Sequence, residues 1–201
     1  MPDRLSPDAS GIARAAELLR NGELVAFPTD TVYGIGCRAG DPDALARLFA
    51  AKRRPPEKAV PWLIGFLEEV AKHGFLADER ATRLADRFWP GALTLVLPAA
   101  DGSGTQAFRV PDHPLTLALL AAAGPLAVSS ANRSGEPETR DADDVAVAFA
   151  DSDEPAATLD GGRVPGGVAS SVLDLAEPGA RMLREGALRR AEIEAVIGPI
   201  D

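Results

Sequence analysis

A chain of 201 residues with 46% apolar and 25% charged residues is long enough for a full core and far from disordered composition, so it reads as one globular domain. Its formal charge, 21 − 30 = −9, argues against a broad basic surface for nucleic acid, because phosphate neutralisation dominates that kind of affinity. The single cysteine, Cys37, excludes an intrachain disulfide, and with only His73 and His113 available a Cys/His zinc site lacks its ligands.

From the N-terminus, Met1 to Ser10 shows neither the basic nor the apolar stretch of a leader, and no apolar run reaches ~18 residues. The expectation is a cytoplasmic protein with no membrane span. Ile12, Ala15, Ala16 and Leu19 recur at helical spacing before Gly22, which predicts a helix over 11–21. Leu24 to Phe27 then reads as a strand. Asp41 and Pro42 form an N-cap and first-turn pair, opening a helix through Leu45, Leu48 and Phe49 that stops before Pro55-Pro56. Further helices are predicted at 67–73, 78–88, 114–123, 141–150 and 189–197. Strands are predicted at 61–65, 92–97, 107–110, 125–129, 157–160, 171–175 and 180–184. Interleaved helices and strands with several short connections favour a layered α/β domain with a mixed sheet.

The commonest nucleotide cradles are missing: there is no G-x-x-x-x-G-K-[ST] loop and no G-x-G-x-x-G after a strand. No G-x-S-x-G elbow occurs either, so positioning and electrostatics are favoured over a covalent intermediate. Four segments concentrate small polar residues, glycine and cations at strand ends, where a scaffold displays functional groups. Pro28-Thr29-Asp30-Thr31-Val32-Tyr33-Gly34-Ile35-Gly36 is either a ligand loop or an ordered turn capped by Asp30 with Tyr33 in the core. Lys52, Arg53, Arg54 and Lys58, opposed only by Glu57, make a local net charge of +3 that suits a small polyanion or a solvated turn. If that stretch is extended, Lys52 and Arg54 point the same way and can clamp a phosphate chain, one as a point charge and one as a planar fork. Ser129-Ser130-Ala131-Asn132-Arg133-Ser134-Gly135 follows an apolar strand and is either a ligand loop or an Asn/Gly turn. The last segment runs from Asp160-Gly161-Gly162 through Ser170-Ser171 to Leu183-Arg184-Glu185-Gly186. Between them lie Arg109, on a predicted strand, and Trp89, whose size favours a core position over ligand stacking.

Taken in order, these segments resemble the YrdC-like family, which includes single-domain threonylcarbamoyl-AMP synthases. The resemblance covers about residues 10–187. The family's P-T-[DE]-T-x-Y-G-x-G stands at 28–36, K-x-R-P at 52–55, W-P-G-x-[LV]-T at 89–94 and R-x-P-x-H-P at 109–114. S-x-N-x-S-G stands at 130–135, D-G-G…S-[ST]-V-x-D at 160–174 and L-R-x-G at 183–186. Arg53 replaces the usual glycine of K-G-R-P, and Lys58-Ala59-Val60-Pro61 replaces the more typical K-P-L.

The resemblance implies a YrdC-like layered α/β domain spanning 1–201, without the additional C-terminal domain of longer relatives. Its twisted mixed sheet would be flanked by helices and carry a concave nucleotide-binding cavity. It implies an enzyme that makes threonylcarbamoyl-AMP and pyrophosphate from ATP, L-threonine and bicarbonate for threonylcarbamoyladenosine modification of tRNA. Lys52, Arg54, Ser130 and Asn132 match the nucleotide-site residues, with Lys52 and Arg54 catalytic and Arg184 joining them on the phosphates. Arg109 and Ser170 match the threonine-carboxylate holders; Thr31, and less strongly Tyr33, match further substrate-site positions. Mg²⁺ would arrive on the ATP phosphates rather than on a protein site. A transient contact with the tRNA threonylcarbamoyl-transferase complex is implied, with weak or no direct tRNA binding. Two other readings share the fold: a non-synthase nucleotide- or RNA-binding relative, and a carbamoyl-transfer domain using carbamoyl phosphate. The intact Lys52, Arg54, Ser130 and Asn132 count against the first, and the lack of zinc-finger-like and acylphosphatase-like regions counts against the second.

Overall fold

The computed structural model describes every residue except Met1, Arg54 and residues 56–58. Its elements run β1 (Asp3–Leu5), α1 (Ala9–Arg20), β2 (Val25–Phe27), β3 (Gly34–Arg38), α2 (Pro42–Lys52), β4 (Trp62–Leu63), α3 (Glu69–Lys72), α4 (Glu79–Phe88) and β5 (Leu93–Pro98). They continue as β6 (Thr105–Arg109), α5 (Pro114–Ala123), β7 (Leu126–Ser130), α6 (Ala142–Ala148), β8 (Ala157–Leu159), β9 (Ser171–Asp174), β10 (Arg181–Arg184) and α7 (Arg190–Ile197). The chain gathers into two compact units, Met1–Val60 with His113–Gly166, and Pro61–Asp112 with Gly167–Asp201.

In the first unit the strands lie in the order β1-β8-β2-β3-β7. β8 runs parallel to both β1 and β2, while β3 is antiparallel to β2 and β7, so the sheet is mixed as the sequence predicts. Helix α1 begins at Asp8, whose carboxylate accepts from Ser10 N at 2.9 Å and Gly11 N at 3.0 Å. It buries Ala15, Ala16 and Leu19 and packs on α5, which contributes Leu119 and Leu120. Each such leucine contributes roughly 1.5–3 kcal/mol of burial. Phe27, Tyr33, Ile35, Leu48 and Phe149 complete this core.

In the second unit the order is β4-β6-β5-β9-β10, again mixed: β4 is parallel to β6 and β5 to β9, and the remaining neighbours are antiparallel. Leu93, Leu95 and Leu97 alternate into the core along β5, and Phe108 stacks edge-on with Trp62 at 5.7 Å and Phe75 at 5.2 Å. Helices α4 and α7 pack together beside that sheet.

The predicted elements are present with ends moved by a few residues, but two strands were not foreseen. β1 is three residues long and mostly exposed, so it lacks the alternation that marks a strand. β3 contains Gly34 and Gly36, which read as turn residues. The glycines are there for space: a Cβ on Gly34 would lie 2.8 Å from Val128 Cγ1, and one on Gly36 would lie 3.0 Å from Val128 Cγ2.

The α2 terminus accounts for the usual glycine of K-G-R-P. Arg53 is its C-cap, in the left-handed region at φ 50°, and is the non-glycine residue with positive φ among those described. Its side chain meets Asp151 at 2.9 Å, with both groups well exposed. Left-handed backbone at a residue with a Cβ costs about 1–2 kcal/mol, more than an exposed ion pair returns. Arg53→Gly is therefore expected to stabilise the fold by about 1 kcal/mol in denaturant titration, and Arg53→Ala is not. Equal stability for the two variants would contradict the strain.

Candidate functional site

The first group of predicted site residues assembles where α2, β7 and the turn after β2 meet. β3 pairs with β7 in a register that sets Gly34 opposite Ser130, so the turn before β3 and the loop after β7 emerge side by side. Tyr33 fastens them through its backbone: Tyr33 N donates to Thr139 O at 2.9 Å, and Ala131 N to Tyr33 O at 2.7 Å. The phenol is buried and donates to Gly162 O at 2.8 Å while accepting from Gly161 N at 3.1 Å. Burial pushes its pKa up to about 12, keeping it a neutral donor. Tyr33 thus takes the core role and ties in the Asp160-Gly161-Gly162 segment. Thr31 sits in a tight turn: Thr29 Oγ1 donates to Val32 O at 2.7 Å, accepts from Thr31 N at 3.2 Å, and lies 3.1 Å from Thr31 Oγ1.

Lys52, the last residue of α2, is only 2% exposed. Its ammonium donates to the carbonyls of Ser130 and Asn132, and its own carbonyl accepts from Ser134 N at 3.0 Å. Three of the predicted nucleotide residues are therefore in one cluster. Asn132 is buried, with Nδ2 donating to Glu136 O at 2.6 Å. Its Oδ1 is buried without a hydrogen-bond partner among the described residues, an uncompensated acceptor. Arg54, predicted as the second clamp cation, lies outside the described residues, as does Lys58.

A second group forms in the other unit. Arg109 ends β6, nearly buried, and its Nε donates to Gly91 O at 2.8 Å while Gly91 N donates to Val110 O at 2.9 Å. This reciprocal pair joins W-P-G to R-x-P. Trp89 is half-buried and its Nε1 donates to Leu93 O at 2.7 Å. Ser170, also buried, shares a hydrogen bond with Thr94 across 2.9 Å. The pairing of Leu95 with Phe108, continued by one residue, sets Thr94 opposite Arg109 on the same sheet. Arg184 lies on Ser170, with Nε donating to its carbonyl at 2.9 Å and Nη2 to its hydroxyl at 3.2 Å. The family resemblance implies a place for Arg184 on the phosphates; in the structure its side chain lies on Ser170.

Thr94, Ser171, Arg133 and Asp151 were given no role by the sequence. Thr94 carried one signal, a polar residue inside the apolar run Leu93 to Leu97. Ser171 has a fully buried hydroxyl that accepts from Gly186 N at 2.9 Å and Leu188 N at 3.1 Å and donates to Leu188 O at 2.6 Å. Cys37 is buried, which pushes its thiol up to about 12 and leaves it inert as a nucleophile. Among the described residues, no group of three or more His, Cys, Asp or Glu is placed to hold a metal ion, and no helix is long and apolar enough to cross a membrane. Surface hollows of about 300 Å³ beside Arg80 and about 270 Å³ beside Arg4 are lined by none of the candidate residues. Their arginines already bind carbonyls or carboxylates of their own unit, so neither hollow competes as the site.

A family model described as telomere recombination, that of the Sua5, YciO and YrdC proteins, matches residues 17–186. A curated threonylcarbamoyl-AMP synthase of Bacillus subtilis is 44% identical over 208 residues, covering 98% of this chain and 60% of its own length. One from Alkalilimnicola ehrlichii is 35% identical over 207 residues, covering 98% of this chain and 99% of its own. The crystal structure of Pyrococcus abyssi Sua5 complexed with L-threonine matches with a TM-score of 0.89 at 39% identity, covering 100% of this chain and 62% of that one. The chain thus spans about 60% of the length of the Bacillus relative and nearly all of the Alkalilimnicola one.

The seat of Arg184 depends on Gly186, where an added Cβ would lie 2.1 Å from Ala169 O and 2.7 Å from Ser170 O. Gly186→Ala is expected to unseat the 184–188 loop, lowering unfolding free energy by about 1–3 kcal/mol and exposing the Gly186 and Leu188 amides to hydrogen exchange. Unchanged protection at those amides would mean that Ser171 does not hold the loop.

Proposed function

The chain belongs to the Sua5, YciO and YrdC family, and on that premise we propose that it is a threonylcarbamoyl-AMP synthase. It converts L-threonine, bicarbonate and ATP to threonylcarbamoyl-AMP and pyrophosphate for threonylcarbamoyladenosine modification of tRNA. The observation that carries the proposal is the gathering of Lys52, Ser130 and Asn132 at the end of α2, with the Lys52 ammonium buried on two carbonyls. A buried, oriented cation beside an uncompensated buried acceptor suits a ligand that brings both negative charge and hydrogen-bond donors.

In this proposal the threonine amine takes up carbon dioxide from bicarbonate to form a carbamate, releasing water. A carbamate oxygen attacks the α-phosphorus, and the bond to the bridging oxygen breaks as pyrophosphate leaves with its electron pair. No side-chain nucleophile is needed; alignment and charge neutralisation supply the rate. Lys52 and Arg54 neutralise phosphate oxygens, and Ser130, Asn132 and Arg184 complete the ATP contacts that the family resemblance implies. Arg109 and Ser170 hold the threonine carboxylate, a fork and a hydroxyl suited to it, and Thr31 lines the substrate site. The direct bond from Arg184 to Ser170 supports a further role for Arg184 beside the amino acid. Mg²⁺ carried in on the ATP phosphates would supply charge neutralisation for the departing pyrophosphate. The chain works in the cytoplasm and hands its product to the tRNA threonylcarbamoyl-transferase complex through a transient contact, and its net charge of −9 supports weak or no direct tRNA binding.

The test is pyrophosphate release by the purified protein with ATP, Mg²⁺ and bicarbonate, with and without L-threonine, and identification of the adenylate by mass. Threonine-dependent release is the expected result; ATP hydrolysis indifferent to threonine would remove the synthase reading. Lys52→Ala is expected to lower turnover about 100-fold or more, as loss of a single oriented donor at a developing charge does elsewhere. Arg109→Ala should raise the threonine KM about 10- to 100-fold while the ATP KM moves little. A threonine KM that stays at the wild-type value would place the carboxylate elsewhere.

A further inference from the structure

The nucleotide cluster contains a buried arginine that none of the roles above uses. We propose that Arg133, oriented by the carboxylate of Asp151, is a positioning residue that holds Lys52 and Asn132 in register for the ligand's phosphates. The inference rests on the nucleotide reading of that cluster.

Arg133 is 7% exposed, and a guanidinium is retained in such a place only when its charge and its N–H groups are satisfied. Nη1 donates to Ala51 O at 2.8 Å, Nη2 donates to Asp151 Oδ1, and the guanidinium carbon lies 5.4 Å from the centre of the Phe149 ring. The significance is in where those partners sit. A helix leaves its last four carbonyls without intrahelical donors. In α2 the carbonyls of Phe49 and Ala50 accept from Arg53 N, that of Ala51 accepts from Arg133, and that of Lys52 accepts from Ser134 N. The two carbonyls flanking the Lys52 peptide plane are therefore closed by consecutive residues of the loop that carries Asn132. A cation at a helix C-terminus also meets the negative end of the helix dipole, so the arrangement is favourable twice over.

Asp151, in the segment after α6, adds the second link. Its Oδ1 binds Arg133 and its Oδ2 binds Arg53 at 2.9 Å, so one carboxylate joins Lys52-Arg53 to Asn132-Arg133. The hydrogen bond from Arg133 holds the Asp151 carboxyl below its usual range, which keeps it ionised near neutrality. The Arg53 half is exposed on both sides and contributes little, whereas the Arg133 side chain is 8% exposed, so the linkage runs through Arg133. An arginine serving stability alone has no need to bond both the residue before Lys52 and the carboxylate that reaches the residue after it.

The experiment compares wild type with Arg133→Met, Arg133→Lys, Asp151→Ala and the Met/Ala double variant. ATP and threonine KM are read from pyrophosphate release, ATP affinity from calorimetry, and the folded fraction from denaturation curves. Arg133→Met is expected to raise the ATP KM about tenfold, with the threonine KM within about twofold of wild type. Arg133→Lys should recover part of the loss, since an ammonium can replace one of the two bonds. Asp151→Ala should raise the ATP KM about threefold, and the double variant should be no worse than Arg133→Met, the non-additivity of a shared linkage. A folded Arg133→Met with the wild-type ATP KM, or one in which both KM values rise by the same factor, overturns the positioning role. If Arg133→Met does not fold, Asp151→Ala decides alone, because its carboxylate is largely exposed, and an unchanged ATP KM there overturns the role. Wild type that binds no ATP would overturn the nucleotide reading and this role with it, whereas ATP binding by wild type with indifferent variants overturns the role only.

Discussion

The buried ammonium of Lys52 is the constraint around which the first unit is organised. A full charge at 2% exposure is expensive unless fixed acceptors meet it, and among its acceptors are main-chain carbonyls of Ser130 and Asn132. Carbonyls can be aimed only by aiming the backbone, so the loop after β7 has to take one shape. That requirement accounts for the chain of secondary contacts: Tyr33 pins Ala131 and Thr139, Arg133 closes α2, and Ser134 takes the Lys52 carbonyl. β3 can approach β7 because Gly34 and Gly36 leave room for Val128.

The second unit solves a similar problem with hydroxyls and missing Cβ atoms. Ser170 and Ser171 are adjacent on β9's entry and are both buried, yet they face different tasks. Ser171 is consumed by the main chain of Gly186 and Leu188, which makes it a fastener. Ser170 is left to the side chains of Thr94 and Arg184. Gly186 permits this division, since any Cβ there would collide with the Ala169 and Ser170 backbone. The glycine of L-R-x-G is thus a steric requirement, with φ playing no part.

Local signals were legible in the sequence. Asp41-Pro42 marked the start of α2, and the carboxylate indeed accepts from Ala44 N at 3.0 Å. Helical spacing found α1, α4 and α5, and the motif strings picked out the residues proposed for the site. Misreadings came where the deciding contact was remote. Gly34-Ile35-Gly36 looks like a turn until β7 is placed against it. Arg53 reads in the sequence either as added charge for a phosphate or as a solvated residue; it sits in left-handed backbone with its exposed side chain on Asp151. Asp151 itself carried no signal, lying in a Ser- and Asp-rich stretch typical of any exposed connection.

The sequence by itself determined the order of elements, the caps and the residue types available for chemistry, because periodicity, capping and turn preferences act over a few neighbouring positions. It also carried the family, through motifs whose order survives without any knowledge of contacts. Only the tertiary structure decided which polar groups meet. Lys52 reaches carbonyls about eighty positions away, and Arg184 lies on Ser170 after a reversal of the chain between β9 and β10. Such meetings depend on strand register and on the direction each side chain leaves its element, and a shift of one residue in a strand sends every side chain to the other face. No local pattern encodes that choice; it is made when the buried polar groups of the whole unit must all find partners at once.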